Sequence, residues 1–132
     1  MYTALQRQGI YMKHGMIESS DGDRVWYYHG KRHRDDGPAV EYADGTREWW
    51  LNDKRHRNDG PAIEWANGTR MWYYHGKPHR TDGPAVEYPD GGIKWWLNGE
   101  EYTFAEWLKH NTALDSKTRM LYILQYSEEA IA

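Results

Sequence analysis

The chain has 132 residues, and this length predicts one domain, because two ordinary domains need a longer chain. Its formal net charge of −3 argues against a dedicated duplex-DNA binder, which needs a strongly basic face. The sequence contains no cysteine, which excludes a disulfide framework, a thiolate metal site and a cysteine nucleophile.

The N-terminal segment, residues 1–14, carries no signal for secretion. Residues 1–8 are polar and mixed, whereas a secretory signal needs an apolar stretch near the N-terminus. No apolar run approaches the roughly 18 residues that a membrane-spanning helix requires. We therefore expect a soluble, cytoplasmic protein without membrane insertion.

A repeat of 23 residues occupies the middle of the sequence, residues 15–102. It begins with a degenerate half-unit at 15–20, in which Ile17 and Glu18 align with Val40 and Glu41. The full registers are 21–43, 44–66 and 67–89, followed by 90–102, where the match stops. Self-similarity at a fixed period is the signature of a repeat architecture, in which stacked units share one core.

Each unit is predicted to be a β-hairpin with tight turns at both ends. The dipeptide Asp44-Gly45 favours a two-residue type I′ turn, and Pro38 and its equivalents belong at a strand start or edge because proline lacks the N–H donor. The eight Trp and eleven Tyr are rings that a pleated sheet accommodates well, so they predict an aromatic core. The second turn is predicted at His29-Gly30, Asn52-Asp53, His75-Gly76 and Asn98-Gly99.

The predicted type I′ turn also assigns the two faces of the sheet. With a two-residue loop at 44–45, Val40 pairs with Trp49 and Tyr42 pairs with Arg47. The position of Glu48 varies between units, which is typical of a solvent-facing side chain, whereas the position of Trp49 is always Trp. The predicted core ladder is Trp26, Trp49, Trp72 and Trp95.

Residues 103–132 are predicted to form two short helices that cap the array. Thr103 and Glu106 match a capping box, and a second helix is predicted from Asp115 or Ser116. An open sheet edge invites pairing with other chains, so capping is the expected role, and direct binding of a partner is the alternative. The apolar positions are Phe104, Trp107 and Leu108 in the first helix, and Met120, Leu121 and Leu124 in the second.

The 23-residue period, the Asp-Gly turn, the aromatic strand and the Asn-Gly turn resemble the MORN repeats (membrane occupation and recognition nexus). The resemblance covers roughly residues 15–102 and is closest to the MORN-like variant of bacterial, phage and large-virus proteins, with its HRxDGPA units. It implies a mainly β fold, an elongated twisted antiparallel sheet of stacked hairpins. Together with the helices predicted for residues 103–132, the expected architecture is such a sheet with two short C-terminal helices as a cap. Because DGPA replaces the usual G-x-G-x-x step, phospholipid binding is not expected. The resemblance implies a binding scaffold, of the kind found in antitoxins or viral proteins aimed at a host factor.

A row of histidines and arginines is the first candidate binding site. Stacked at unit intervals, these side chains could recognise phosphates or acidic groups. The alternative is structural: the aspartate forms a turn, the arginine pairs with a glutamate such as Glu41, and the histidine packs on tryptophan. Equivalent imidazoles lie about 9–10 Å apart, too far to share one metal ion, so neither a metal nor another cofactor is predicted. The row comprises His33, His56, His79, Arg34, Arg57 and Arg80.

The second aromatic residue of each strand is the other candidate. Exposed rings next to arginine are typical of protein-binding hot spots and equally of surfaces that stack nucleic-acid bases. They could also form a second aromatic layer beneath the terminal helices. These residues are Tyr27, Trp50, Tyr73 and Trp96.

No motif of an enzyme appears, and each Asp, Glu and His recurs by repetition, whereas a catalytic site needs one asymmetric constellation. The sequence therefore predicts a non-catalytic protein-binding module, such as a phage or bacterial inhibitor or antitoxin-like protein. The first alternative is a binder of nucleotides or single-stranded nucleic acid that uses the ring and Arg/His rows. The second is a structural homo-oligomer, for example a homodimer.

Overall fold

The computed structural model describes the chain from His14 to Ile131, with side chains described through Ser127. Fourteen short antiparallel strands precede two C-terminal helices, which confirms the predicted mainly β fold class. The prediction about secretion falls on residues outside this range. The strands are β1 His14–Glu18, β2 Arg24–Tyr28, β3 Lys31–Arg32, β4 Val40–Glu41, β5 Arg47–Glu48, β6 Trp50–Leu51, β7 Lys54–Arg55, β8 Ile63–Glu64, β9 Arg70–Met71, β10 Tyr73–Tyr74, β11 Lys77–Pro78, β12 Val86–Glu87, β13 Ile93–Leu97 and β14 Glu100–Tyr102.

The sheet is assembled from neighbouring hairpins. Its ten strands run in the order β1-β2-β4-β5-β8-β9-β12-β13-β14, with β3 beside β2, and the pairs β6-β7 and β10-β11 form separate short ladders. The spatial order of the strands follows the chain. Each unit therefore adds its strands to the preceding unit, as a repeat array requires.

The second turn of each unit lies where it was predicted and has type I′ geometry. Tyr28 pairs with Lys31 across a two-residue loop. In that loop φ is +50° at His29 and +75° at Gly30, and the equivalent residues of the other units also have positive φ. Asparagine and glycine enter this left-handed region at low cost, so the Asn-Gly signal was a sound predictor.

The first turn does not have the predicted geometry. Tyr42 N–H donates to the Thr46 carbonyl at 2.8 Å and Gly45 N–H to the Tyr42 carbonyl at 3.0 Å, which closes a loop over residues 43–45. Of the loop residues only Gly45 has positive φ, +97°. This is a type I turn followed by a glycine bulge, which adds one residue to the loop. Val40 therefore pairs with Glu48, and the predicted pairing with Trp49 is wrong.

The extra loop residue changes which side chains share a face. The Tyr42 hydroxyl donates to Glu48 at 3.3 Å. Arg55 pairs with Glu48 at 3.0 Å and lies over the Trp50 ring, so these four side chains lie on one face. We call it the aromatic face. Trp49 lies on the opposite side, with arginines above it, and we call that side the arginine face.

The core differs from the predicted tryptophan ladder. Of its four members only Trp95 is buried, while Trp26, Trp49 and Trp72 are half-buried. Glu48, predicted to face solvent, is only 4% exposed, because it lies in the same cross-strand row as the branched aliphatic residues. The buried apolar residues of the array are Ala39, Val40, Trp50, Ala62, Ile63, Ala85, Val86, Trp95 and Leu97.

The first helix, α1 (Phe104–His110), begins with the predicted capping box. The Thr103 side chain accepts a hydrogen bond from Glu106 N–H, and the Glu106 carboxylate accepts one from Thr103 N–H. This hydrogen bonding lowers the pKa of Glu106. Trp107 is fully buried, as its place in the predicted apolar stripe requires.

The second helix, α2 (Ser116–Ile131), starts where predicted but buries a different side. Tyr122 and Tyr126 pack against the Trp95–Trp107 cluster. The three predicted apolar positions, Met120, Leu121 and Leu124, are exposed. The correction has a physical reason, because the docking site is a cluster of aromatic rings, and tyrosines reach it while their hydroxyls stay near polar groups. Neither helix in residues 14–131 is both long and apolar enough to cross a membrane.

Candidate functional site: the two faces of the sheet

Guanidinium groups cover the tryptophans of the arginine face. Arg80 Cζ lies 3.8 Å from the centre of the Trp72 ring. Its Nε donates to Asp82 at 2.8 Å, and its Nη1 donates to the Pro84 carbonyl at 3.0 Å and to Glu87 at 3.1 Å. Arg34 over Trp26 and Arg57 over Trp49 repeat this arrangement at 3.9 and 3.8 Å. Such contacts between a cation and a ring stabilise the fold by about 0.5–2 kcal/mol each.

The glycine of each Asp-Gly-Pro segment makes room for this guanidinium. A Cβ atom built on Gly83 would lie 2.8 Å from Arg80 Cζ, and one on Gly37 would lie 3.1 Å from Arg34 Cζ. The arginine therefore lies in a slot between a tryptophan ring and a glycine. This explains why the two residue types recur together in the units.

Replacing Gly83 with alanine should lower the free energy of unfolding by about 1–3 kcal/mol, because the new methyl group displaces the Arg80 guanidinium. Urea unfolding followed by tryptophan fluorescence measures the change. The matched control is the same replacement in an Arg80→Ala background, where the slot is empty. There it should be neutral or stabilise by about 0.4–1 kcal/mol, since alanine restricts the unfolded chain. Equal costs in both backgrounds would contradict the slot.

The arginine face also carries an alternating row of charges. Glu41 pairs with Arg47 across neighbouring strands, Arg47 with Glu64, and Glu64 with Arg70. Arg47 and Glu64 are in direct hydrogen-bond contact. Arg57 Nη1 contacts Glu64 from above the sheet at 3.3 Å. The predicted pairing of the repeated arginines with glutamates is thus confirmed for Arg57 and Glu64, and it recurs at Arg34 and Arg80.

The repeated histidines connect one unit to the next. His56 Nδ1 accepts a hydrogen bond from His75 N–H at 2.9 Å, and His79 Nδ1 accepts one from Asn98 N–H at 2.9 Å. His33 Nδ1 accepts one from Asn52 N–H at 3.1 Å. Each acceptor is thus bonded to the first residue of the following type I′ turn.

The surroundings of the histidines differ from the prediction that they pack on tryptophan. The His56 ring lies 4.5 Å from the Tyr74 ring, centre to centre, and its Nε2 bonds to Asn58 at 2.9 Å. Burial lowers the pKa of His56 and of His79. Across the described part of the chain, no cluster of His, Asp or Glu could hold a metal ion.

The second aromatic row lies on the aromatic face and is closely covered by arginines. Trp50 is 7% exposed, with Arg32 Cζ at 3.8 Å and Arg55 Cζ at 5.0 Å from its ring centre. Tyr27, Tyr73 and Trp96 are half-buried. The expectation of freely exposed rings is therefore wrong for Trp50. The terminal helices do not form the cover either, because they pack on Trp95 on the other face. A role of this row in partner binding stays a prediction.

The sequence interpretation missed a third aromatic row. It consists of the residue between the end of β4, β8 or β12 and the three-residue loop that follows. The row lies on the aromatic face, where the Trp65 indole N–H approaches the Met71 sulfur at 3.4 Å. The signal was present in the sequence, since every full unit has an aromatic residue at this position. The row is Tyr42, Trp65 and Tyr88, which are 41%, 44% and 39% exposed.

The arginine face contains a groove of about 610 Å³ between two successive histidine–arginine loops. Arg34, Trp49, His56, Arg57 and Asp59 are among its lining residues. Its arginines are already engaged, because Arg34 bonds to Asp36 at 3.0 Å and Arg57 to Asp59 at 3.1 Å. The guanidinium groups are thus neutralised within the protein and stacked on rings.

No protein-family model and no curated protein matches the sequence. The resemblance to MORN repeats therefore stays a prediction from the period, the turns and the aromatic strand. The two faces of the sheet carry the functional inference. One face presents paired charges over tryptophan, and the other presents exposed rings at regular intervals.

Proposed function

We propose that the chain is a non-catalytic protein-binding module that holds its partner on the aromatic face. The observation that carries the proposal is the exposed row Tyr42, Trp65 and Tyr88. Aromatic residues are enriched in protein interfaces because they bury a large area at a small cost in conformational entropy. Three of them in register on a stacked sheet offer a continuous contact surface.

The arginines support a protein partner over nucleic acid. Binding of a phosphate backbone needs cations that exchange their counterions for phosphates. Arg34, Arg57 and Arg80 instead pair with Glu41, Glu64 and Glu87, respectively. The formal net charge of −3 adds no long-range attraction for a polyanion.

The predicted site residues of the aromatic face lie on the same face as the exposed row, and arginines hold them in place. Trp50 is held between Arg32 and Arg55, and Arg55 is also 5.6 Å from the Tyr73 ring centre. Rings locked in this way are a rigid base for an interface, since little side-chain freedom remains to be lost on binding. We propose that the partner is a host protein and that the chain acts in the cytoplasm as an inhibitor or antitoxin-like protein of a phage or bacterium.

The proposal predicts that one surface decides partner capture. A variant with Tyr42, Trp65 and Tyr88 changed to serine should fail to capture the protein that the intact chain captures from nuclease-treated host lysate. The matched control uses Tyr28 and Tyr74, which are 49% and 46% exposed. They lie two positions after Trp26 and Trp72 and therefore on the arginine face. A Tyr28→Ser/Tyr74→Ser variant should capture the partner as well as the intact chain. Circular dichroism verifies that both variants are folded.

Two results would contradict the proposed function. In the first, the triple variant and the control capture the same protein equally well, which would place the interface elsewhere. In the second, the intact chain captures only material that nuclease removes or that salt washes off, which would favour the nucleic-acid alternative.

A further inference from the structure

The three exposed rings follow each other at a regular distance. Each ring directly follows its own strand: Tyr42 follows β4, Trp65 follows β8 and Tyr88 follows β12. In the sheet, β5 lies between β4 and β8, and β9 lies between β8 and β12. Neighbouring strands lie about 4.7–4.9 Å apart, so successive rings are spaced by about 9.5 Å across the strands. The row therefore runs at right angles to the strands, along the direction in which the units stack.

Only one regular backbone has a matching period. A polyproline II helix has three residues per turn and rises about 3.1 Å per residue, so every third residue returns to the same side after about 9.3 Å. An α-helix needs seven residues, about 10.5 Å, and accumulates an error of about 2 Å over the two steps. In an extended strand every third residue points to the opposite side. The spacing of the rings thus selects a polyproline II ligand.

Acidic side chains beside the row favour a ligand that carries positive charge. Each ring is followed after two positions by a turn residue, and this residue is Asp44 after Tyr42 and Asp90 after Tyr88. Asp44 and Asp90 are exposed, and within the described part of the chain neither forms an ion pair. Their side chains accept only the local hydrogen bonds of the turn, from Thr46 and Gly92 N–H. A ligand along the row would meet negative potential at this edge.

The cations nearest to this surface do not offset that charge. Arg47 and Arg70 line the same surface pocket as Asp44 and Trp65. However, Arg47 is paired with Glu64, and Arg70 is paired with Glu87 at 2.8 Å. Arg55 is paired with the buried Glu48, and Arg32 is paired with Asp53 at 3.1 Å. The aromatic face therefore combines evenly spaced rings with carboxylates that have no partner cation among the described residues. Complementarity requires a ligand with lysine or arginine between its prolines.

We propose that the row of Tyr42, Trp65 and Tyr88 is the docking site for a basic, proline-rich segment of a partner protein in the polyproline II conformation. Prolines at every third position pack on the three rings, and the intervening basic side chains face the Asp44 and Asp90 carboxylates. The ligand is extended before it binds, so little entropy is lost on docking. This inference rests on the proposed function, since it names the kind of partner that the aromatic face binds.

A set of synthetic peptides tests the inference directly on the full chain. The probe peptide has proline at every third position and arginine at the positions between. It is about twelve residues long, whereas a peptide needs only about seven residues to reach all three rings. A second peptide has the same composition, but its prolines are spaced alternately by two and by four residues. A third peptide has the proline spacing of the first and glutamate in place of arginine. Isothermal titration calorimetry measures each dissociation constant.

The first peptide should bind more tightly than the other two by more than about tenfold. Trp65→Ser should weaken its binding by more than about tenfold, as expected for a central ring of an interface. Tyr74→Ser removes a ring of similar exposure from the arginine face. It should change the dissociation constant by less than about twofold, because residues far from a binding site have little effect on its affinity.

Three outcomes would overturn the inference. Equal affinity of the two proline spacings would remove the match of period, and unchanged binding in Trp65→Ser would show that arginine adheres to the acidic protein without the rings. Absence of binding by every peptide would also overturn it. If the triple serine variant nevertheless lost its captured protein, the proposed function would stand and only the polyproline II ligand would fall.

Discussion

Replacing Trp107 with alanine should lower the free energy of unfolding by about 3–5 kcal/mol, the largest effect of any single change that we expect. Trp107 is fully buried at the junction of the helices and the last unit, with its ring centre 4.5 Å from that of Trp95. Its indole N–H donates to the Arg80 carbonyl at 3.1 Å. The replacement leaves both a cavity and a buried carbonyl without its partner. Urea unfolding followed by circular dichroism measures the loss.

An exposed tryptophan provides the matched control for this change. Trp65→Ala removes the same number of atoms from a ring that is 44% exposed, so the cost should stay below about 1 kcal/mol. If Trp107→Ala cost no more than Trp65→Ala, the helices would not contribute to the stability of the array. Their role as a cap would then be wrong.

The reason for the cap can be read from the end of the repeat. The first three units cover their tryptophan with an arginine, whereas the fourth breaks off before its arginine and glycine. Trp95 is instead covered by Phe104, Trp107 and Tyr126, with ring centres at 5.0, 4.5 and 4.9 Å. The rings of the C-terminal residues thus take the place of the missing guanidinium. Because they cover Trp95 more completely, Trp95 is the one buried member of the predicted tryptophan ladder.

The repeat, the strands and the helices could be predicted because they depend on local signals. Type I′ turns need positive φ at both loop residues, and His29-Gly30 and Asn98-Gly99 provide it. The Thr103–Glu106 capping box likewise requires only residues close in sequence. Because the sequence is periodic, the same turn signals recur in each unit and predict the same hairpin each time.

The faces could not be predicted with the same certainty, because one residue in one loop decides them. An Asp-Gly dipeptide fits a two-residue loop, but it fits equally a three-residue loop that ends on Gly45. The longer loop places Glu48 opposite Val40 and moves Trp49 to the arginine face. A shift by one residue exchanges all inward and outward positions of a strand, so a correct set of strands still gave a wrong core.

The slot for the arginine depends on contacts that no periodicity reveals. Its walls are a strand residue, Trp72, and a loop residue, Gly83, on either side of Arg80. The sequence did contain one indirect signal, since the fourth unit loses the arginine and the glycine together. The exposed row had a clearer signal, an aromatic residue before every loop, but it was masked by the wrong assignment of faces.

Acidification from pH 7.5 to pH 5 should lower the free energy of unfolding by about 2–3 kcal/mol through His56 and His79. Both use Nδ1 as an acceptor for the N–H of the next unit, and a protonated imidazole has no acceptor. Burial lowers the pKa of both in the folded chain. The unfolded chain therefore binds protons first, so the stability present above about pH 6.5 is lost as the pH falls through the folded-state pKa values.

Burial is the main cause of the lowered pKa of His56, and two neighbours act on this pKa in opposite directions. The hydrogen bond to Asn58 raises it. The His75 ring lies 4.4 Å away, centre to centre, and positive charge on that neighbour further lowers the pKa of His56. Asp53, Glu106 and Asp115 also have shifted pKa values, but downward from values near 4, so their contribution is lost at a lower pH. The histidine effect is thus separable in the range above pH 5.

Asparagine supplies the matched control, because its side-chain oxygen can occupy the position of Nδ1 and accept the same hydrogen bond without titrating. A His56→Asn/His79→Asn variant should lose most of the dependence of stability on pH between 7.5 and 5. His29→Asn introduces the residue that Asn52 supplies at the same turn position of the next unit, and this variant should retain the dependence. Urea unfolding by tryptophan fluorescence at several pH values measures the slopes. A double variant as acid-sensitive as the intact chain would show that these unit-to-unit hydrogen bonds do not couple folding to protons. If the free energy of unfolding of the double variant no longer depends on pH, neutral histidines stabilise the array. Each then accepts a hydrogen bond from the turn of the unit that follows it.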